Sequence, residues 1–256
     1  MRIAQLVLPS ASHFERKLQR ADLEGLREKH EIVELKDADV AHVYASGALD
    51  PKDFKNFPVP YVSSVAMKES RWTFTKPPVP RVILDPLDTP EAVEDRYWNL
   101  PRRSPQQNRI ASFQRAGTRN MVEQTLARIH RFRDDVTWDI LDHPPAPEDL
   151  STVDIWVDPA VEESDLDGYV AEALVVGLPV VASRTKMNST RLENGRTGWL
   201  VPVRDPNEMT HAILAALFKP EVAENKLASA RQTISKFKTR QRVRVLGSVY
   251  EQAAKH

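Results

Sequence analysis

Residues 152–206 read in order as strand, acidic loop, helix, strand, polar loop and turn, and no other segment constrains the fold as much. Asp154-Ile155-Trp156-Val157 is a short apolar run suited to a buried strand. It stops at Asp158-Pro159, because proline cannot donate to a β-ladder. The acidic stretch 162–168 follows. Residues 169–176 then predict a helix with Val170, Ala173 and Leu174 on one face and Glu172 beside them. Gly177-Leu178-Pro179 ends that helix, since glycine suits a left-handed cap and proline cannot continue it. Val180-Val181-Ala182-Ser183 predicts the next strand. Such a unit sets a helix N-terminus, near Gly168, at the carboxyl end of a strand. Ligands of open α/β sheets bind at that edge, and unpaired backbone N–H groups there favour anions.

The segment resembles the C-terminal domain of the GT-B fold glycosyltransferases, in particular the retaining group 1 type called glycosyltransferase family four. The resemblance rests on Glu172-Ala173-Leu174, on Gly177-Leu178-Pro179-Val180-Val181-Ala182-Ser183, and on the run from Glu193-Asn194-Gly195 to Val201-Pro202. Asp205-Pro206, the apolar run 212–217 and the closing helix expected over 237–251 continue it, so that it spans residues 108–252. Two departures stand out. The family's first glutamate would fall eight residues before Glu172, where this chain has Ser164. Glu163 and Asp165 flank that position and are the residues that can take its catalytic role. After Ser183 the family carries two glycines, whereas this chain reads Arg184-Thr185-Lys186-Met187-Asn188-Ser189. In the family frame Lys186 and Asn188 point toward the donor.

A second stretch agrees. Arg109-Ile110-Ala111-Ser112-Phe113 predicts a strand, and Gln114 to Arg119 the loop after it. The family places two cations in this loop to hold the donor diphosphate, and here they would be Arg115 and Arg119. Two fixed cations stabilise both the bound donor and the charge that builds on its leaving group. Arginine suits bidentate contact with phosphate. From charge alone the pair reads equally well as solvated surface arginines.

The resemblance also implies roles for other residues. Glu172 would hold the nucleotide ribose, and Asp165, Asp167, Gly168 and Tyr169 the donor sugar. It implies no metal and no cofactor, with the nucleotide sugar as substrate and an acceptor it does not identify. Asp165-Leu166-Asp167 has the letters of a cation motif but lies where the carboxylate loop belongs. A glycosyltransferase-like module without catalysis is the alternative, favoured by the missing glycines and the displaced glutamate.

Composition narrows the classes. Basic and acidic residues balance at 36 each, so no global basic field argues for nucleic acid. The absence of cysteine removes disulfides and a thiol nucleophile. The N-terminus lacks a secretory apolar core and no run of 18 apolar residues exists, so a cytoplasmic protein without a membrane span is expected.

The first hundred residues read as α/β. Strands are expected over 2–8, 31–35, 40–45, 60–64 and 81–85, with an amphipathic helix over 14–30. Alternating strands and helices imply a small parallel sheet. Proline-rich linkers fall near 76–80 and 100–108. The expectation is therefore a GT-B-like α/β chain of two Rossmann-like domains whose parallel sheets face a cleft. Residues 1–100 would be a reduced acceptor-side domain, 101–236 the donor-nucleotide domain and 237–256 the closing helix. His13, just after the first strand, and His42, within the third, are the acceptor-side candidates. His42 reads equally well as a satisfied, half-buried histidine. A reduced first domain could expose apolar surface that a second copy covers, giving a homo-oligomer.

Overall fold

A computed structural model describes residues 1–46, 57–66, 81–84, 91–98, 108–162 and 168–255. The chain forms two compact units: Met1–Glu94 together with Lys236–His256, and Asp95–Ser235.

In the first unit β1 (Arg2–Val7), β2 (Glu31–Ile32), β3 (Val40–Ser46), β4 (Tyr61–Ala66) and β5 (Arg81–Leu84) form one sheet. Its order is β2-β1-β3-β4-β5 and every pairing is parallel. Side chains alternate across the strands and feed two apolar clusters. One holds Ile3, Val40 and Val62 with Leu26, the other Ala4, Ala41 and Val43 with Tyr61. Helix α1 (His13–Leu26) starts at a capping box. The Ser12 hydroxyl accepts from the Phe14 N–H at 3.2 Å, and the Glu15 carboxylate accepts from the Ser12 N–H at 2.8 Å.

The second unit alternates strands and helices. β6 (Arg109–Phe113), α2 (Thr118–Ile129), β7 (Thr137–Leu141), α3 (Pro147–Ser151), β8 (Ile155–Asp158) and α4 (Val170–Val176) come first. β9 (Val180–Ser183), α5 (Lys186–Arg191), β10 (Trp199–Val201), α6 (Pro206–Phe218) and α7 (Pro220–Thr233) complete it. The sheet order is β10-β9-β8-β6-β7, again wholly parallel. Its central core is apolar: Ile110, Ile155, Val157, Val181, Val201 and Ile213 are all 5% exposed or less. α4 ends at Gly177, whose φ of 90° is the left-handed cap that the Gly-Leu-Pro sequence demands.

After the second unit the chain returns to the first as α8 (Thr239–Ala254). Val243, Leu246, Tyr250 and Ala253 repeat at helical spacing and join the cluster around Ile3 and Val40. A buried polar chain also ties α8 down. Arg242 donates from Nε and Nη2 to the Asp22 carboxylate on α1, the Nη2 contact at 3.0 Å. Tyr44 donates to Asp22 Oδ2 at 2.7 Å. The Tyr44 hydroxyl lies 3.0 Å from His42 Nδ1 and the Tyr250 hydroxyl 2.6 Å from the same nitrogen, while Ser64 Oγ lies 2.9 Å from His42 Nε2.

That network corrects one expectation. His42 is 0% exposed, stacked on Tyr44 at 4.1 Å, and occupied at both ring nitrogens. Burial, reinforced by the charge of Arg242, holds its pKa well below the ordinary 6.5. It is a neutral core histidine, closed off from solvent. Among the described residues no helix is long and apolar enough to cross a membrane.

Candidate functional site

The strand order of the second sheet reverses between β6 and β8, with β7 on one side of β6 and β8, β9 and β10 on the other. In a doubly wound sheet the binding crevice opens at the carboxyl ends of the strands flanking such a reversal. Those ends are Phe113, followed by Arg115, and Asp158. The two meet: Arg115 Nη2 forms an ion pair with Asp158 Oδ1, and their side chains are 15% and 2% exposed. A carboxylate this buried needs pairing, because an isolated charge out of water costs far more than its neutral form.

Local structure fixes both ends of the pair. The Arg115 N–H donates to Thr118 Oγ1 at 3.0 Å, and that hydroxyl donates back to the Arg115 carbonyl at 2.7 Å. Thr118 is 0% exposed and opens α2, so the loop bearing Arg115 is pinned to the helix. Arg119 is the second residue of α2 and is exposed. Asp158 Oδ2 accepts from Asn188 Nδ2 at 2.6 Å, and the same nitrogen donates to the Ser183 carbonyl at 2.9 Å. Asn188 Oδ1 accepts from Arg191 Nη1 at 3.3 Å. The loop after Ser183 is therefore in part a helix, α5, capped by Thr185, whose hydroxyl accepts from the Asn188 N–H at 3.0 Å.

Gly168 lies directly on the pair. A Cβ built there would overlap the Asp158 carboxylate, so only glycine lets the backbone pass so close. Trp156, two residues before Asp158 on the same face of β8, donates from Nε1 to the Gly168 carbonyl at 2.6 Å. Tyr169 takes φ 51°, an uncommon conformation for a non-glycine residue, and packs edge-on against Phe113 at 5.0 Å between ring centres. Glu172 on α4 is 1% exposed, so it belongs to the interior of the unit and not to a solvated helix face.

Of the residues expected at the donor site, the structure brings Arg115, Gly168 and Asn188 to one carboxylate and seats Tyr169 over the end of β6. Asn188 corrects its expectation. It is 1% exposed, and both its amide groups are engaged by Asp158, Ser183 and Arg191, so it braces the site from within and does not reach out to a sugar. Lys186 is exposed as the first residue of α5. Glu163, Asp165 and Asp167 lie outside the described residues. In the first unit the sheet reverses between β1 and β3, and His13 is exposed as the first residue of α1, just beyond β1. Sequence reasoning passed over Asp158, the hub of the arrangement. The available signal was an aspartate closing an otherwise apolar strand.

A cavity of about 630 Å³ lies at the opposite end of the same sheet, lined among others by Ile155, Leu174, Leu178, Leu217, Leu227 and Arg231. It sits where β8 and β9 begin, away from the reversal and its charged pair.

The comparisons with known proteins bear on the fold. Residues 100–218 match the family model described as glycosyl transferases group 1. No curated protein matches the chain. Among solved structures, HepE of Anabaena in complex with UDP-glucose superposes with a TM-score of 0.70 at 10% identity, covering 98% of this chain and 100% of that one. A glycosyltransferase from Rickettsia africae gives 0.67 at 11% identity, covering 100% and 99%. A glycosyltransferase involved in avilamycin A biosynthesis gives 0.65 at 13% identity, covering 100% and 98%. Residues 100–218 are thus similar to the group 1 glycosyltransferases, and the two parallel α/β sheets give the chain a GT-B fold.

Proposed function

We propose that the protein transfers a sugar, with retention, from a nucleoside diphosphate donor to an acceptor hydroxyl, without a metal or other cofactor. The observation that carries this reading is Arg115, pinned at the carboxyl end of β6 beside the reversal of strand order, with the exposed Arg119 four residues on at the start of α2. In the reaction the bond from the sugar's C1 to the diphosphate breaks and one to the acceptor oxygen forms, the acceptor hydroxyl passing its proton to the departing diphosphate, on which negative charge builds. Arg115 and Arg119 answer that charge, and fixed cations that need no reorganisation are the strongest form of such stabilisation. They take the part that a metal plays elsewhere.

The remaining roles follow the same frame. Glu172 holds the ribose, and Asp167, Gly168 and Tyr169 the sugar. Glu163 or Asp165 supplies the carboxylate expected eight residues before Glu172, Lys186 flanks the donor, and His13 lies on the acceptor side. The superposition on a protein that binds UDP-glucose supports a nucleotide sugar as the donor.

Calorimetric titration with UDP, GDP, ADP and TDP, with and without magnesium, tests the reading. One diphosphate should bind at micromolar concentration whether or not magnesium is present. The Arg115→Ala/Arg119→Ala variant should lose about tenfold or more of that affinity, as expected when charged hydrogen bonds are removed. Arg119→Ala alone changes an exposed side chain and keeps the test sound if the double variant folds poorly. Silence with all four diphosphates would sink the proposal.

A further inference from the structure

We infer that Asp158 is a positioning residue of the donor site, a role that rests on the donor reading above and deepens it. Three segments far apart in sequence converge on this one carboxylate: the β6–α2 loop through Arg115, the Gly168 turn, and α5 through Asn188. Each oxygen has its own task, Oδ1 receiving Arg115 Nη2 and Oδ2 receiving Asn188 Nδ2 at 2.6 Å. Trp156 on the same strand holds Gly168 from the other side. β8 is the rigid element, buried along all four residues, and it sets the place and angle of the guanidinium through its last residue.

The chemistry explains why this residue is an aspartate. An ionised carboxylate accepts at both oxygens, whereas an amide offers one acceptor and one donor. With asparagine at 158, the NH₂ group would face either Arg115 or the Asn188 NH₂. Turning Asn188 over cannot relieve this, because its nitrogen already serves the Ser183 carbonyl and its oxygen serves Arg191. One substitution of equal size thus unseats either the arginine or α5.

Asp158 acts on the donor through Arg115, so the test is a cycle of Asp158→Asn, Arg115→Met and the double variant. Affinity is measured for whichever of UDP, GDP, ADP or TDP the wild type binds, with melting curves to confirm folding. Asp158→Asn should weaken binding about tenfold when Arg115 is present and less than about twofold when it is methionine, the non-additivity of residues in one network. Equal weakening in both backgrounds would reduce Asp158 to a structural brace. Tighter binding by Asp158→Asn would make it a competitor of the diphosphate for Arg115, and either result overturns the inference. An Arg115→Met variant that binds as well as wild type would instead end the donor reading itself, and this inference with it. If Asp158→Asn does not fold, Gly168→Ala replaces it in the same cycle. Its methyl group would overlap the Asp158 carboxylate and so displaces it without changing any charge, and the same pattern is expected.

Discussion

One buried polar network in each unit is placed in the opposite way to the other's. In the first, Asp22, Arg242, His42, Tyr44 and Tyr250 lie at 0 or 1% exposure between the helices and the middle of the sheet. In the second, the central core is apolar, and Asp158, Glu172 and Arg191 lie at or beyond the carboxyl ends of β8 and β9. The contrast separates two uses of a buried charge. At a strand end it can aim a cation at a ligand. Between packed elements it decides which elements pack, because a buried pair adds little net stability but is costly to break. Arg242 and Asp22 are 220 residues apart, so that α8 supplies an arginine to pair with α1.

Three measurements would break or sharpen this contrast. The largest effect belongs to Arg242→Ala, which strands the Asp22 carboxylate at 0% exposure. It should cost about 3–5 kcal/mol. Hydrogen exchange read peptide by peptide should place the loss in α1, β3 and β4 while β6 and β8 keep their protection. A loss shared evenly by both units would end the distinction.

A smaller effect comes from acid. Folded His42 has a pKa well below 6.5, held there by burial and by Arg242, with Asp22, Tyr44, Tyr250 and Ser64 around it. The unfolded chain therefore binds a proton below about pH 6.5 that the folded chain refuses. Stability present above that pH is lost as the pH falls from about 6.5 toward the folded pKa, at up to about 1.4 kcal/mol per pH unit for one proton. His30, whose pKa burial also lowers, adds to the loss with the same sign. Urea midpoints at about pH 7 and about pH 5 should differ less in His42→Gln than in wild type. An unchanged difference would show that His42 does not carry the slope.

The smallest effect is expected from Ile213→Val in the apolar core of the second unit, where a single methyl group is lost from a side chain 0% exposed. Roughly 0.5–1.5 kcal/mol is the usual cost of that change. It should add to the cost of Arg242→Ala without coupling, since the two share no partner. Coupling well beyond measurement error would join the units energetically.

Much of the fold was legible in the sequence because its strands are short apolar runs between punctuating residues. Arg2–Val7, Val40–Ser46 and Val180–Ser183 were all readable in this way. α5 was not, since Lys-Met-Asn-Ser-Thr-Arg lacks an apolar period and is helical through its Thr185 cap and the packing of Met187, Asn188 and Arg191. The acidic residues Glu163, Asp165 and Asp167 stand out in the sequence but lie outside the described residues. Asp158 reads in the sequence only as the end of a strand, because its partners stand 43 residues before it and 30 after it. A pattern that local periodicity cannot carry appears only when distant segments meet. The same holds for His42, whose alternating strand context fits a ligand and a core residue equally well, and whose occupied ring nitrogens decide the matter.

The return of the chain into its first unit bears on how the protein is made. Residues from Lys236 onward are translated after the whole of Asp95–Ser235. A ribosome that has reached Ser235 has synthesised all of the second unit's sequence but has yet to supply Arg242 and Tyr250 to the first. The unit that begins the chain is thus the later one to finish, and until α8 arrives Asp22 lacks its arginine and Ile3, Val40 and Val62 lack their cover.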